Sequence, residues 1–268
     1  MEVTFSPPAE SFTSIAFTGW FLNFRSGYFE NWGLMKLFIV ALSLFFSMSV
    51  YSSQFPRVDT ALAHYDAEVI KDNAQFNLMH ANLHDSHWVT LKLSHMVFVD
   101  QYMRNFISVP KSEKWNSDEI AYFWQKFIPR WQSLDRANTA DMKALLAIHT
   151  WIKISKFGDA ADRDAWLLVQ HADLDLPFQK SVLAVLETLY PKDETLPKNY
   201  AMLFDRVAVN SKQPNQKYGS QGMCKGTYWE PYPIEDFEHV EKRRAEMGME
   251  SFEKNKVRLD KICATFPG

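Results

Sequence analysis

From Val58 onward the apolar positions recur mostly at helical spacing. Leu62, Val69 and Ile70 mark a stretch of helical composition from Val58 to Lys71. Residues 73 to 88 turn polar and carry His80, His84 and His87. From Trp88 to Phe106 the residues Leu91, Met96, Val99, Met103 and Phe106 return close to every 3.6 positions, which lines them along one helix face. Pro110 lacks an N–H and is expected to stop that helix. Ser117-Asp118-Glu119 starts another, with Tyr122, Trp124 and Phe127 running to Pro129. Asn138 or Thr139 is a candidate cap for the next, whose apolar side holds Met142, Leu145, Leu146 and Ile148. Gly158 interrupts the pattern, and a helix is expected from about Ala160 to His171. A further helix over 176–190 turns Val182, Val185, Leu186 and Leu189 inward, with Pro177 in its first turn. Pro191 and Pro197 bracket a loop before the apolar stretch Asn199 to Val209.

The character changes at Ser211. Up to Pro233 the chain carries Gln213, Pro214, Gly219, Gly222 and Gly226 among the aromatic residues Tyr218, Tyr228, Trp229 and Tyr232. Short strands are expected here, with a hairpin tip at Lys225-Gly226. Asp236 is then a candidate cap for a helix to Met247, closed by Gly248, and Ser251 starts the last helix. The pattern therefore predicts a mainly α fold, a single helical domain with a small β-hairpin near 213–232.

Ahead of this domain, MKLFIVALSLFFSMSVYSSQFP begins at Met35. Lys36 supplies a positive start, Leu37 to Val50 is uncharged and apolar, and small residues follow at Tyr51-Ser52-Ser53. This is the outline of a secretory signal peptide over 35–53, and it is short for a membrane span. Residues 1–34 read as a mis-called upstream start or an extended leading region. Residues 54–92 form an N-terminal helical and loop segment, and 93–268 the helical domain. The expected location is periplasmic or secreted, with no membrane attachment after cleavage. A formal net charge of -3 without any long Lys/Arg run argues against nucleic acid as a partner. Export permits a disulfide between the two cysteines, Cys224 and Cys263, and two buried thiols are the alternative.

Candidate chemistry concentrates in WLLVQHADLD, residues 166–175. An apolar helix end runs straight into Gln170, His171, Asp173 and Asp175. Asp175 is well placed to cap the helix that follows. His171 with a carboxylate two residues away suits an oriented acid or base, with Asp173 as the orienting group. Asp205 and Arg206 are adjacent, so they cannot pair along one helix face and each must look elsewhere. Arg206 is a candidate to hold an anionic ligand group or a carboxylate such as Asp173. In QPNQKYGSQG, residues 213–222, a strand would place Gln216 and Tyr218 on one face, and a bulge at Gly219 would let Gln221 rejoin them. Arg243 and Arg244 follow, one of them able to reach inward to Asp205 or Asp173. His80, His84 and His87 have metal-compatible spacing but sit in a surface-like stretch, and no residue is assigned to a metal.

Met96, Asp100, Gln101 and Arg104, then Ala165 to Asp175, Phe178-Gln179, Asp205-Arg206-Val207, Gln216 to Gln221, Pro233 to Asp236 and Arg243-Arg244 occur in an order that resembles a bacterial family of unknown function. The resemblance covers about residues 93 to 250. A Gly-Trp-Pro stretch associated with that family reads His149-Thr150-Trp151-Ile152 here. The resemblance implies that these polar residues converge, and it brings no activity with it.

Three readings follow. In the first, the chain is an exported hydrolase or group transferase. Its catalytic residues are His171, Asp173 and Tyr218, and Gln170, Asp205, Arg206, Gln216, Gln221, Arg243 and Arg244 bind substrate. In the second, the same residues form a non-catalytic binding module. In the third, they form a buried network that fixes helix packing. The expected partner is a small molecule, glycan or peptide. Cofactor and oligomeric state are not assigned.

Overall fold

Nine helices carry the chain among the described residues, which are 54–212 and 215–265 of a computed structural model. The expected signal peptide and the residues before it lie outside them. From Phe55 onward the chain forms one unit.

Helix α1 (Pro56–Asn77) begins with proline in its first turn, where the missing N–H costs nothing. Helix α2 (Ser86–Phe106) is capped by Asp85, whose side chain accepts from the His87 N–H. A short α3 (Val109–Ser112) surrounds Pro110. Helix α4 (Ser117–His149) opens with a reciprocal cap between Asn116 and Glu119. Helix α5 (Ile154–Gln170) is broken internally at Gly158, whose φ is 82°. Helices α6 (Leu176–Leu189) and α7 (Pro197–Asn210) follow, then strands β1 (Gly222–Lys225) and β2 (Tyr228–Pro231). Helices α8 (Val240–Glu246) and α9 (Phe252–Thr265) complete the unit. The fold is mainly α with one small antiparallel hairpin, as the periodicity predicts.

Four details differ from the sequence pattern. First, α4 runs through Pro129. The proline forfeits one backbone hydrogen bond, but Phe123, Phe127, Trp131 and Leu134 on both sides of it pack into one cluster and hold the helix together. Second, Asn138 and Thr139 are therefore buried inside a helix rather than capping one, and the Thr139 hydroxyl donates back to the Asp135 carbonyl. Third, the strands are confined to 222–231. Gln216 makes only an isolated parallel bridge with Ile234, so period two does not govern Gln216 and Tyr218. Fourth, Asp236 makes no side-chain cap; it adopts a left-handed backbone before a 3₁₀ turn over Phe237–His239, and its carboxylate meets the His239 ring.

The core has three parts. α2, α4, α5, α6 and α7 enclose Leu93, Met142, Leu168, Leu186 and Leu203. An aromatic cluster of Tyr65, Phe106, Trp115, Phe123 and Phe127 joins α1 to α2 and α4. A smaller cluster of Trp229, Val240, Phe252 and Leu259 sits under the hairpin. Cys224 and Cys263 are disulfide-bonded, which ties β1 to α9 and decides between the two alternatives for these cysteines.

Candidate functional site

The site grows from a carboxylate on α2 and an imidazole at the end of α5. Asp100 lies among Met96, Val99 and Met103 on the buried face of α2 and is 0% exposed. His171 is the C-cap of α5 and is 6% exposed. Its Nδ1 stands 2.9 and 3.1 Å from the two Asp100 oxygens. Gln101 donates to the same carboxylate at 2.9 Å, and Arg104 Nε donates at 3.2 Å to each oxygen. Arg104 is four residues from Asp100, so both side chains share a helix face. Its Nη2 also reaches Asp135 on α4 at 3.0 Å, and the guanidinium lies over the Trp131 ring. One arginine thus serves two carboxylates.

The two carboxylates respond in opposite ways. Burial pushes the Asp100 carboxyl up, but His171 and then Arg104 together outweigh it and hold it well below the usual range. Asp135 is pushed up to about 6 by burial, which Arg104 and His171 only partly offset.

A second network begins two residues after His171. Asp173 receives both arms of Arg206, with Nε at 2.8 Å and Nη2 closer still. Asn210 donates to it at 2.8 Å and Gln179 at 3.1 Å. Arg206 Nη1 donates to Gln221 Oε1 at 3.0 Å. The Asp173 side chain is still 40% exposed, so this network faces outward. Burial raises the Asp173 carboxyl, and Arg206 with its hydrogen bonds overcomes that and lowers it.

These contacts correct one expected role and choose between the two given for Arg206. The carboxylate that orients His171 is Asp100, not Asp173, because the Asp173 carboxylate is turned to α6 and α7. Arg206 takes the second of its two expected roles, with its fork on the Asp173 carboxylate and Gln221.

The loop from 215 to 222 carries Gln221 to this place. Asp205 on α7 accepts backbone N–H groups from Lys217, Tyr218 and Ser220 at 2.8, 3.0 and 2.9 Å. Gln216 spans the loop, donating to the Gln221 and Tyr232 carbonyls and accepting from the Gln221 N–H. Arg244 donates to the Tyr218 carbonyl at 2.7 Å and Arg243 to the Lys217 carbonyl at 2.8 Å. Gly219 has φ 64°, and a Cβ there would meet Ile234 Cδ1 at 2.7 Å, so only glycine fits the crossing.

Asp205, Gln216, Arg243 and Arg244, expected to bind substrate, therefore use these bonds to shape the loop. Tyr218 contributes its backbone to the loop, while its ring packs edge-on against Phe204. Its hydroxyl is pushed up to about 12, chiefly by burial. Gln170 is fully buried, and among the described residues neither end of its side-chain amide is hydrogen-bonded. His80 and His84 lie between α1 and α2, and no group of three metal-ligating side chains occurs among the described residues.

The resemblance named Asp100 and Gln179 among residues expected to converge without assigning them a role, and sequence reasoning did not single out Asp135 or Asn210. Asp135 had a visible signal. Phe123, Phe127, Trp131, Asp135, Asn138, Met142 and Leu145 fall at steps of three or four, so Asp135 occupies a core position of one continuous helix. Ending the helix at Pro129 conceals that stripe.

A family model described as "Family of unknown function (DUF6624)" matches residues 91–263, well over half of the chain. The chain belongs to this family. The matched region holds the whole arrangement described above, from Asp100 on α2 to Arg244 on α8, and leaves α1 outside. No curated protein and no solved structure matches.

Proposed function

We propose that this family member is an exported acid–base enzyme, a hydrolase or group transferase acting on a small molecule, glycan or peptide. The observation that carries the reading is the Asp100–His171 pair. A carboxylate on Nδ1 fixes the ring's tautomer and orientation, as an acid–base imidazole requires. Two features support it. The pair is surrounded by charges that a packing role does not require, since apolar residues hold helices together at lower desolvation cost. The Asp173–Arg206–Gln221 cluster lies just beside it and is partly open to solvent, giving a polar edge on which a substrate can be oriented. The leader over 35–53 supports export.

A second reading, a network that only fixes helix packing, draws on the burial of both Asp100 and His171. One experiment separates the two. The protein is assayed with 4-nitrophenyl esters, phosphates and glycosides beside His171→Gln. Turnover that falls by about a hundredfold or more in a folded variant supports the enzyme. Turnover that is unchanged in the variant rejects His171 as the acid–base group. An inert protein whose Asp100→Leu/His171→Leu double variant is at least as stable as wild type favours the packing network.

A further inference from the structure

We infer that the cleft between the end of α1, the start of α2 and the last part of α4 binds a free amino acid with an apolar side chain, Asp141 taking its ammonium and Lys92 its carboxylate. The inference goes beyond the acid–base reading and does not depend on it.

The cleft has a volume of about 260 Å³. Phe76, Met79, Leu83, Trp88 and Leu145 form its apolar wall, and Lys92 and Asp141 are its charged lining residues. Ring contacts hold that wall in place. The His95 ring stacks on Phe76 at 4.6 Å and bonds Asn73, and Trp88 packs on Phe76 at 5.9 Å. A cavity of about 150 Å³ is enough for a benzene ring. The additional space here admits one ring or branched chain together with a polar head. It falls short of the roughly 300 Å³ at which sites for drug-sized molecules begin.

The head group is read from the charges. Lys92 Nζ stands 2.6 Å from Asp141 Oδ2, and the two side chains are 22% and 46% exposed. The same ammonium lies 5.5 Å from the centre of the Phe76 ring. A partly exposed pair between two helices adds little to stability, so packing gives no reason for one at the head of an aromatic-walled cleft. An ammonium has three donors and a carboxylate about four acceptor sites, so this pair can take two more charged groups without separating. A lone cation or a lone anion would meet one charge of the wrong sign at this distance. An amino acid carries both signs. Its backbone bonds of about 1.5 Å place the ammonium nitrogen about 2.5 Å from the carboxylate carbon, on the scale of the protein's own pair. Set head to tail against Lys92 and Asp141, the two groups complete a square of alternating charges while the side chain meets the apolar wall.

The test is isothermal titration calorimetry of the full chain with L-phenylalanine and L-leucine. Two analogues accompany them: 3-phenylpropionate, which lacks the ammonium, and 2-phenylethylamine, which lacks the carboxylate. One amino acid per chain is expected to bind, and each analogue about tenfold or more weakly. Asp141→Asn and Lys92→Met should each weaken the amino acid by a similar factor. Ala144→Phe, at an exposed lining position, should fill the cleft and abolish binding while the midpoint of thermal unfolding stays in place. Analogues that bind as tightly as phenylalanine overturn the two-charge head. Binding that survives Ala144→Phe in the folded protein overturns the cleft as the site. Absence of binding by both amino acids at millimolar concentration overturns the inference outright. His171→Gln should bind phenylalanine as wild type does, so a loss of turnover in that variant bears on the acid–base reading alone.

Discussion

Two polar regions meet beside His171, and the chain supplies them differently. The loop from 215 to 222 is held by matched groups. Asp205 faces three backbone N–H groups, Gln216 pairs at both ends of its amide, and Arg243 and Arg244 end on carbonyls. The seam between α2, α4 and α5 has two carboxylates sharing one guanidinium, with an imidazole bonded to the first of them. Matching of the first kind specifies a backbone path and leaves little free to change. Sharing of the second kind leaves proton affinity adjustable. Burial raises the carboxyl in both regions, at Asp205 and at Asp135, so the number of donors rather than burial is what distinguishes them.

The comparison is broken most severely at Asp205. Asp205→Ala strands three backbone N–H groups away from water and lets the Gln221 arm drift. A loss of about 3–5 kcal/mol in urea unfolding is expected. A loss below about 1 kcal/mol would mean that the loop finds other partners and is not held as described.

The disulfide gives the next largest effect. Cys224 and Cys263 are 39 residues apart, and cross-linking a loop of that size stabilises by about 2–4 kcal/mol. Dithiothreitol or Cys224→Ser should lower unfolding stability by that amount and loosen the hairpin. The Asp100–His171 titration should not move, because the bridge lies under the hairpin while the pair sits between α2 and α5. A shift in that titration would show that the two regions are coupled.

Asp135 sharpens the contrast through pH. Its folded value of about 6 lies above the ordinary 3.8. A raised carboxyl binds its proton more tightly when folded, so its stabilisation is complete below about pH 4 and is lost as pH rises through about 6. Asp100 and Asp173 are shifted downward and act oppositely, stabilising above about pH 4 and losing that contribution in acid. Subtracting one protein from the other isolates Asp135. Asp135→Asn should gain on wild type by up to about 3 kcal/mol between pH 4 and pH 8 in urea unfolding. Parallel stability curves would place Asp135 with the ordinary carboxylates.

How much of this was legible beforehand depends on whether the cause is local. Helix spacing is local, and it located α2, the end of α5 and the last helices. The Asp175 cap and the Gly248 turn follow from one residue and its neighbours, and both are present. The meeting of Asp173 with Arg206 was one of two open alternatives, because adjacency on α7 said only that Asp205 and Arg206 part company. The partner of His171 was legible only in outline, as one of the motif residues that the resemblance implied converge. Asp100 is 71 residues away, and the nearby Asp173 offered a shorter and mistaken explanation. Asp135 was hidden by a local rule, the stop at Pro129, that tertiary packing of the flanking aromatic residues overrode. The Gln216–Tyr218 strand failed because Asp205 captures the backbone N–H groups that a ladder would have used.

The smallest predicted effect lies closest to the imidazole in sequence. Asp175 shares the motif with His171 and Asp173, but its carboxylate accepts the Phe178 N–H at 3.1 Å and meets the exposed Lys143. It does the local work of a helix cap, and the Lys143 bond is what lowers its carboxyl most. Asp175→Ala should cost about 1 kcal/mol in urea unfolding, nearly all of it from the cap, since an exposed ion pair contributes little. It should leave the His171 and Asp135 titrations unchanged, because its partners lie at the start of α6 and on the far turn of α4 from Asp135. Of the acidic residues around His171, then, the remote Asp100 meets the ring while Asp175, four residues away, serves as a cap. An Asp175→Ala variant that shifts the His171 curve would reverse that order and make sequence proximity, rather than donor supply, the better guide to the site.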